Sequence, residues 1–74
     1  MKKLYYTVMY NIEEIDEGVF DSDGNGTISI YEVKDNELIS YATIECVMTD
    51  KSEEIIIDHL IDVGEDTNVT LINL

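Results

Sequence analysis

Leu4, Tyr6, Val8, Tyr10 and Ile12 alternate with Tyr5, Thr7, Met9 and Asn11, a period of two in strand-favouring residues that predicts an opening strand. Alternation returns at Thr27–Val33, where Ile28, Ile30 and Glu32 stand opposite Ser29, Tyr31 and Val33. It resumes after Lys34, Asp35 and Asn36. From there Leu38, Ser40, Ala42, Ile44, Cys46 and Met48 share one face and Ile39, Tyr41, Thr43, Glu45 and Val47 the other, so the two runs read as an antiparallel hairpin. Between the first two strands, Glu13 to Asp23 has six acids in eleven residues and ends in the turn-forming run DSDGNG, which predicts an acidic loop.

The period then changes. Ile56, His59, Leu60 and Val63 fall at i, i+3, i+4 and i+7 with Ile55, Ile57 and Ile61 beside them, which predicts a helix with a wide apolar arc. Thr49 or Asp50 is the expected cap, with Glu53 completing a capping box, and Gly64 is the expected stop. Val69, Leu71 and Asn73 then alternate with Thr70, Ile72 and Leu74 as a last strand. The order β-β-β-α-β makes residues 1–74 a single α+β domain, with one helix on a mostly antiparallel sheet of about four strands.

At 74 residues, one small core must carry the fold, and Cys46, the sole cysteine, has no partner for a disulfide inside the chain. Four Lys+Arg against seventeen Asp+Glu set the formal net charge at −13, which disfavours direct binding to nucleic acid or to an anionic membrane. No stretch has the length and apolarity of a membrane span, and the MKKLYYTVMYNI start lacks a signal-peptide cleavage pattern, so a cytoplasmic location is expected. His59 and Cys46 read as packing residues. Without a nucleophile beside a base or a glycine-rich phosphate loop, a non-enzymatic role is expected. Five tyrosines (Tyr5, Tyr6, Tyr10, Tyr31 and Tyr41) exceed what one small core buries, so some are expected at the surface.

Residues 21–32, DSDGNGTISIYE, resemble an EF-hand calcium loop: Asp21, Asp23 and Asn25 at positions 1, 3 and 5, Gly26 at 6, Thr27 at 7, Ser29 at 9 and Glu32 at 12. The resemblance implies a calcium ion wrapped by alternating oxygen donors. On the entering side, Asn11 with Glu14 caps a possible short helix through Ile12, Ile15 and Val19; on the leaving side Asn36 and Glu37 occupy positions that the family fills with apolar residues. A small single-site calcium-binding domain is one functional reading.

Glu54, Asp58 and Asp62 recur every four residues of the predicted helix, placing carboxylates about 6 Å apart along its axis. Like charges so spaced weaken an isolated helix. They approximate a row of phosphates, and Glu53, Glu65 and Asp66 extend it, with Glu13, Glu14, Asp16 and Glu17 as a separate acidic cluster. In size and charge the chain resembles small acidic phage anti-defence proteins, the anti-restriction and anti-CRISPR inhibitors. That resemblance implies a stoichiometric inhibitor in the host cytoplasm, whose acidic surface binds a basic nuclease or effector and blocks DNA or RNA by charge mimicry. An accessory subunit of a larger assembly, docking through exposed tyrosines or a sheet edge, is a third reading.

Overall fold

A computed structural model describes residues 2–47 and 49–74, with Asp23 described by its backbone alone. The chain is α+β: β1 (Lys2–Asp16), β2 (Val19–Lys34), β3 (Glu37–Val47), α1 (Ser52–Asp62) and β4 (Val69–Asn73). The strands form one sheet in the order β3-β2-β1-β4. β1 and β2 pair antiparallel, as do β2 and β3, while the crossover through α1 returns β4 parallel to β1.

Alternation along the two central strands builds the core. Leu4 and Tyr6 from β1, Ile28 and Ile30 from β2, and Ile56 and Leu60 from α1 are buried, each at most 4% exposed. Pairing of Tyr6 with Ile30 and Val8 with Ile28 sets these side chains on one sheet face, and the helix covers it. Ala42, Ile44 and Cys46 from β3, Val69 and Leu71 from β4, and Ile55 and Ile57 close the margins. Only Tyr6 among the tyrosines joins the buried core; Tyr10 is exposed and Tyr5, Tyr31 and Tyr41 are half-buried.

Three local expectations are corrected. Glu13–Asp23 is not a loop: β1 and β2 continue through it as a hairpin, with Ile12 opposite Ser22, Glu13 opposite Asp21 and Glu14 opposite Phe20, closing at Glu17 and Gly18. The ladder slips at its root, where Asn11 spans Asp23, Gly24 and Asn25. Gly24 there has φ of 82° and open space around the position a Cβ would take, so glycine serves the backbone conformation and not a close contact. In β3, Ile30 pairs with Ala42 but Tyr31 with Ser40, leaving Tyr41 as a bulge residue packed against the core. The bulge breaks the predicted face, separating Leu38 and Ser40 from Ala42, Ile44 and Cys46; Met48, assigned to that face, lies outside the described residues. Finally, α1 starts at Ser52 after Lys51, without a side-chain cap. Thr49 Oγ1 instead accepts a bond from the Lys51 N–H at 3.0 Å, and the Glu53 side chain is engaged elsewhere.

The predicted turns hold. Asp35 and Asn36, with φ of 52° and 64°, form the two-residue β2–β3 connection. Gly64, at φ 76°, donates to the Ile61 carbonyl at 3.1 Å and Glu65 donates to the Leu60 carbonyl at 2.9 Å, a Schellman closure of α1. Helical apolarity exceeds what the sheet covers, however: Ile61 and Val63, expected in the arc, are exposed.

The β1–β2 hairpin beyond Tyr10 outruns β3, β4 and the helix. It stretches the molecule to 47 × 27 × 17 Å and raises the radius of gyration to 14.3 Å, against about 11 Å for a compact chain of this length. Stability therefore resides in six side chains. Ile56→Ala should lower it by about 2–5 kcal/mol, comparable with the whole net stability of so small a domain. Urea unfolding checks this, with a predominantly unfolded variant at room temperature as the expected extreme.

Candidate functional site

The acids form two groups, one on α1 and one on the arm. On α1, Glu54, Asp58 and Asp62 are exposed along one stripe, as their spacing requires. The structure adds a floor to the upper part of this row. Glu53, Glu54 and Asp58 border an open cleft between α1 and β4, lined beneath by Ile57, Val69 and Leu71. Asp62 continues the stripe beyond the cleft. Glu65 and Asp66 follow the Schellman turn, where Asp66 Oδ1 accepts from the Asn68 N–H at 2.9 Å and so starts the approach to β4.

Glu53 is held in place from below. The Tyr6 hydroxyl donates to Glu53 Oε2 at 2.8 Å, linking the central strand to the first helical turn. Glu53 and Glu54 also sit at the positive end of the helix dipole. Burial of the ring, and then the neighbouring carboxylate that accepts its proton, raise the Tyr6 hydroxyl above its ordinary value of 10.0.

The second group stands on the arm, where Glu13, Glu14, Asp16, Glu17 and Asp21 are all exposed. Backbone amides satisfy part of it: Glu14 Oε1 accepts from the Gly18 N–H at 3.0 Å, Asp16 Oδ1 from Glu17 at 2.8 Å and Asp21 Oδ1 from Ser22 at 2.8 Å. No cation does. Among the described residues the one ion pair is Lys2 with Glu32, at 3.6 Å and distant in sequence from the arm. Glu13 and Asp21 stand directly opposite across the ladder, a like-charge pairing that opposes the hairpin.

The twelve residues resembling a calcium loop do not wrap. Asp21, Asn25, Thr27, Ser29 and Glu32 lie on β2 as paired strand, with Asn25 opposite Val47, Thr27 opposite Glu45, Ser29 opposite Thr43 and Glu32 opposite Ile39. At about 3.3 Å per residue, and allowing for the slip at Gly24, the run from Asp21 to Glu32 extends over about 30 Å of its about 36 Å fully extended length, while calcium needs its oxygens within about 2.6 Å of one point. Gly26 is buried within the sheet, paired with Tyr10 on one side and Cys46 on the other. The Asp23 side chain lies outside the described residues. Among the described residues no group of three His, Cys, Asp or Glu side chains could hold a metal. The short entering helix through Ile12, Ile15 and Val19 is likewise strand.

Lys2, besides meeting Glu32, stands over the Tyr41 ring at 4.7 Å. Cys46 and His59 are half-buried. Among the described residues no helix is long and apolar enough to cross a membrane.

Sequence reading missed the cleft floor and the exposed apolar residues of the arm, Ile12, Ile15, Val19 and Phe20. The available signal was the pair Val19-Phe20 immediately after Glu17-Gly18, a strand start following a two-residue turn. Comparison with protein-family models, curated proteins and solved structures returned no match to this chain.

Because Tyr6 has its pKa raised by folding, the stability it contributes is fully present below the unfolded value near 10 and is lost as pH rises through the higher folded value. Tyr6→Phe should lose about 1 kcal/mol near neutral pH. Its deficit relative to the native chain should then shrink as pH rises above about 10, measured by denaturant unfolding across the alkaline range. A deficit unchanged with pH contradicts the Tyr6–Glu53 assignment.

Proposed function

We propose that this protein is a non-enzymatic acidic inhibitor that binds a Lys/Arg-lined surface of a nucleic-acid-handling protein, of nuclease or CRISPR-effector type, and excludes DNA or RNA from it. The observation that carries this reading is the cleft between α1 and β4, with Glu53, Glu54 and Asp58 at its border and Ile57, Val69 and Leu71 beneath. A lysine or arginine side chain matches both parts: its aliphatic stem lies on the apolar floor and its charged head meets the carboxylates. Glu54, Asp58 and Asp62 continue as a row with the repeat of about 6 Å that one helical turn imposes. A basic channel built for phosphates meets such a row with complementary charge.

The electrostatics of the whole chain favour the same partner class. A net charge of −13 is spread over a small body, and three of the four lysines, Lys2, Lys3 and Lys34, lie at the sheet end opposite the arm. Encounter with a basic protein is accelerated by that field and slowed by salt. The field repels nucleic acid itself, so inhibition proceeds by occupying the nucleic-acid site. No bond is made or broken in this mechanism, and one inhibitor molecule blocks one site.

Titration against DNA-cleaving nucleases and guide-loaded effectors tests the reading. The expected result is inhibition of DNA binding that saturates near equimolar inhibitor and weakens as salt rises from about 50 to about 200 mM. Glu54→Lys, Asp58→Lys and Asp62→Lys together should abolish it while leaving the melting temperature within a few degrees, since all three are exposed. Full inhibition by this triple variant, or inhibition at catalytic amounts, contradicts the proposal.

A further inference from the structure

We propose that the β1–β2 arm is an insertion element, whose tip enters an apolar groove rimmed by Lys or Arg on the partner protein. The basic partner class is the one proposed above; the arm adds the requirement for an apolar groove and places the anchoring contact away from the helix.

Three observations converge on this occupant. Ile12, Ile15 and Phe20 are 66%, 63% and 63% exposed, although isoleucine and phenylalanine are the residue types most often withdrawn from water. They stand on a two-stranded projection that β3, β4 and α1 do not flank, so the fold itself offers nothing to cover them. An isolated hairpin is marginal in water. This one carries the further burden of Glu13 directly opposite Asp21.

Charge selects among the surfaces that could cover it. Residues 10–25 hold six acids and no lysine or arginine. A second copy of this chain would bring one acidic arm against another, or against a body that is itself strongly negative. An uncharged groove would bury the apolar side chains but leave the Glu13–Asp21 repulsion in place. A groove with basic residues relieves both: one wall takes Ile12 and Phe20, which share a face of the ladder, and cations on the facing wall pair with Glu13 and Asp21 on the other face. The register shifts at the root and near the tip bend and twist the arm relative to the rest of the sheet.

The test uses the intact protein and two synthetic peptides of equal positive charge, an amphipathic helix of leucine and lysine and its counterpart with serine for leucine. Binding is followed by backbone amide NMR and by fluorescence titration. The leucine–lysine peptide is expected to shift amides of residues 12–20, and to bind at least about tenfold more tightly than the serine–lysine peptide. Ile12→Ser with Phe20→Ser should cost a similar factor of about ten with an unchanged melting temperature, because both residues lie outside the core. Equal binding of the two peptides, or undiminished affinity in the double-serine variant, overturns the proposal. Binding lost only on reversal of Glu54 and Asp58 to lysine overturns the arm's role while sparing the basic-partner reading. Binding of neither peptide overturns both. A dimer seen by sedimentation equilibrium and dissolved by the double-serine substitution assigns the arm to self-association and overturns the proposal as well.

Discussion

The fold depends on one contact surface: Leu4, Tyr6, Ile28 and Ile30 on the central strands, pressed against Ile56 and Leu60 of the helix. These six side chains are the buried hydrophobic residues, and each strand or helix that supplies them is long enough to present at least two. The edge strands depend on this surface and do not create it. β3 contributes Ala42, Ile44 and Cys46 at the margin, and β4 contributes Val69 and Leu71. Tyr6 has a second task, because its hydroxyl bonds Glu53 and ties the helix's first turn to the middle of the sheet.

A core this small on strands this long leaves much of both strands outside it. β1 and β2 run to fifteen and sixteen residues, yet their buried positions end at Tyr6 on one and begin at Gly26 on the other. Everything beyond the root at Tyr10 is hairpin with no interior. The acids and exposed apolar residues there are free of packing constraints, which is the property expected of a contact surface. The helix repeats the arrangement at smaller scale: its inner face makes the core, and its outer face carries the Glu54, Asp58 and Asp62 row.

Much of this architecture could be read from residue alternation. β1 and β3 begin within two positions of where Leu4–Ile12 and Leu38–Met48 place them and β2 ends one residue after Val33, though it begins at Val19, eight residues before Thr27; Asp35, Asn36 and Gly64 mark turns for reasons of backbone conformation alone. The arm could not be read in that way, because Glu13-Glu14 interrupts the alternation and the Asp and Gly run after Phe20 has the composition of a loop. Pairing between partner strands overrides that local preference, at the expense of a slip at Gly24. The resemblance of residues 21–32 to a calcium loop fails in space for the same reason: ladder pairing extends a segment whose donors would have to converge. A phase shift at Tyr41 was equally hidden, since one inserted residue leaves the hydrophobic content of β3 unchanged while exchanging its faces. The acid row on α1 was legible because helical spacing alone determines it; the cleft beside it was not, because Val69 and Leu71 arrive from the far end of the chain.

Native-state amide hydrogen exchange measures directly the separation of a small packed body from a surface-bearing arm. Amides of residues 4–8, 28–30 and 56–60 should exchange only through global unfolding, with one common free energy, while amides of residues 12–22 should exchange at least about a hundredfold faster through local opening. Uniform protection along the whole of β1 and β2 would contradict the account, since it would show that the hairpin beyond Tyr10 is held by the same cooperative core.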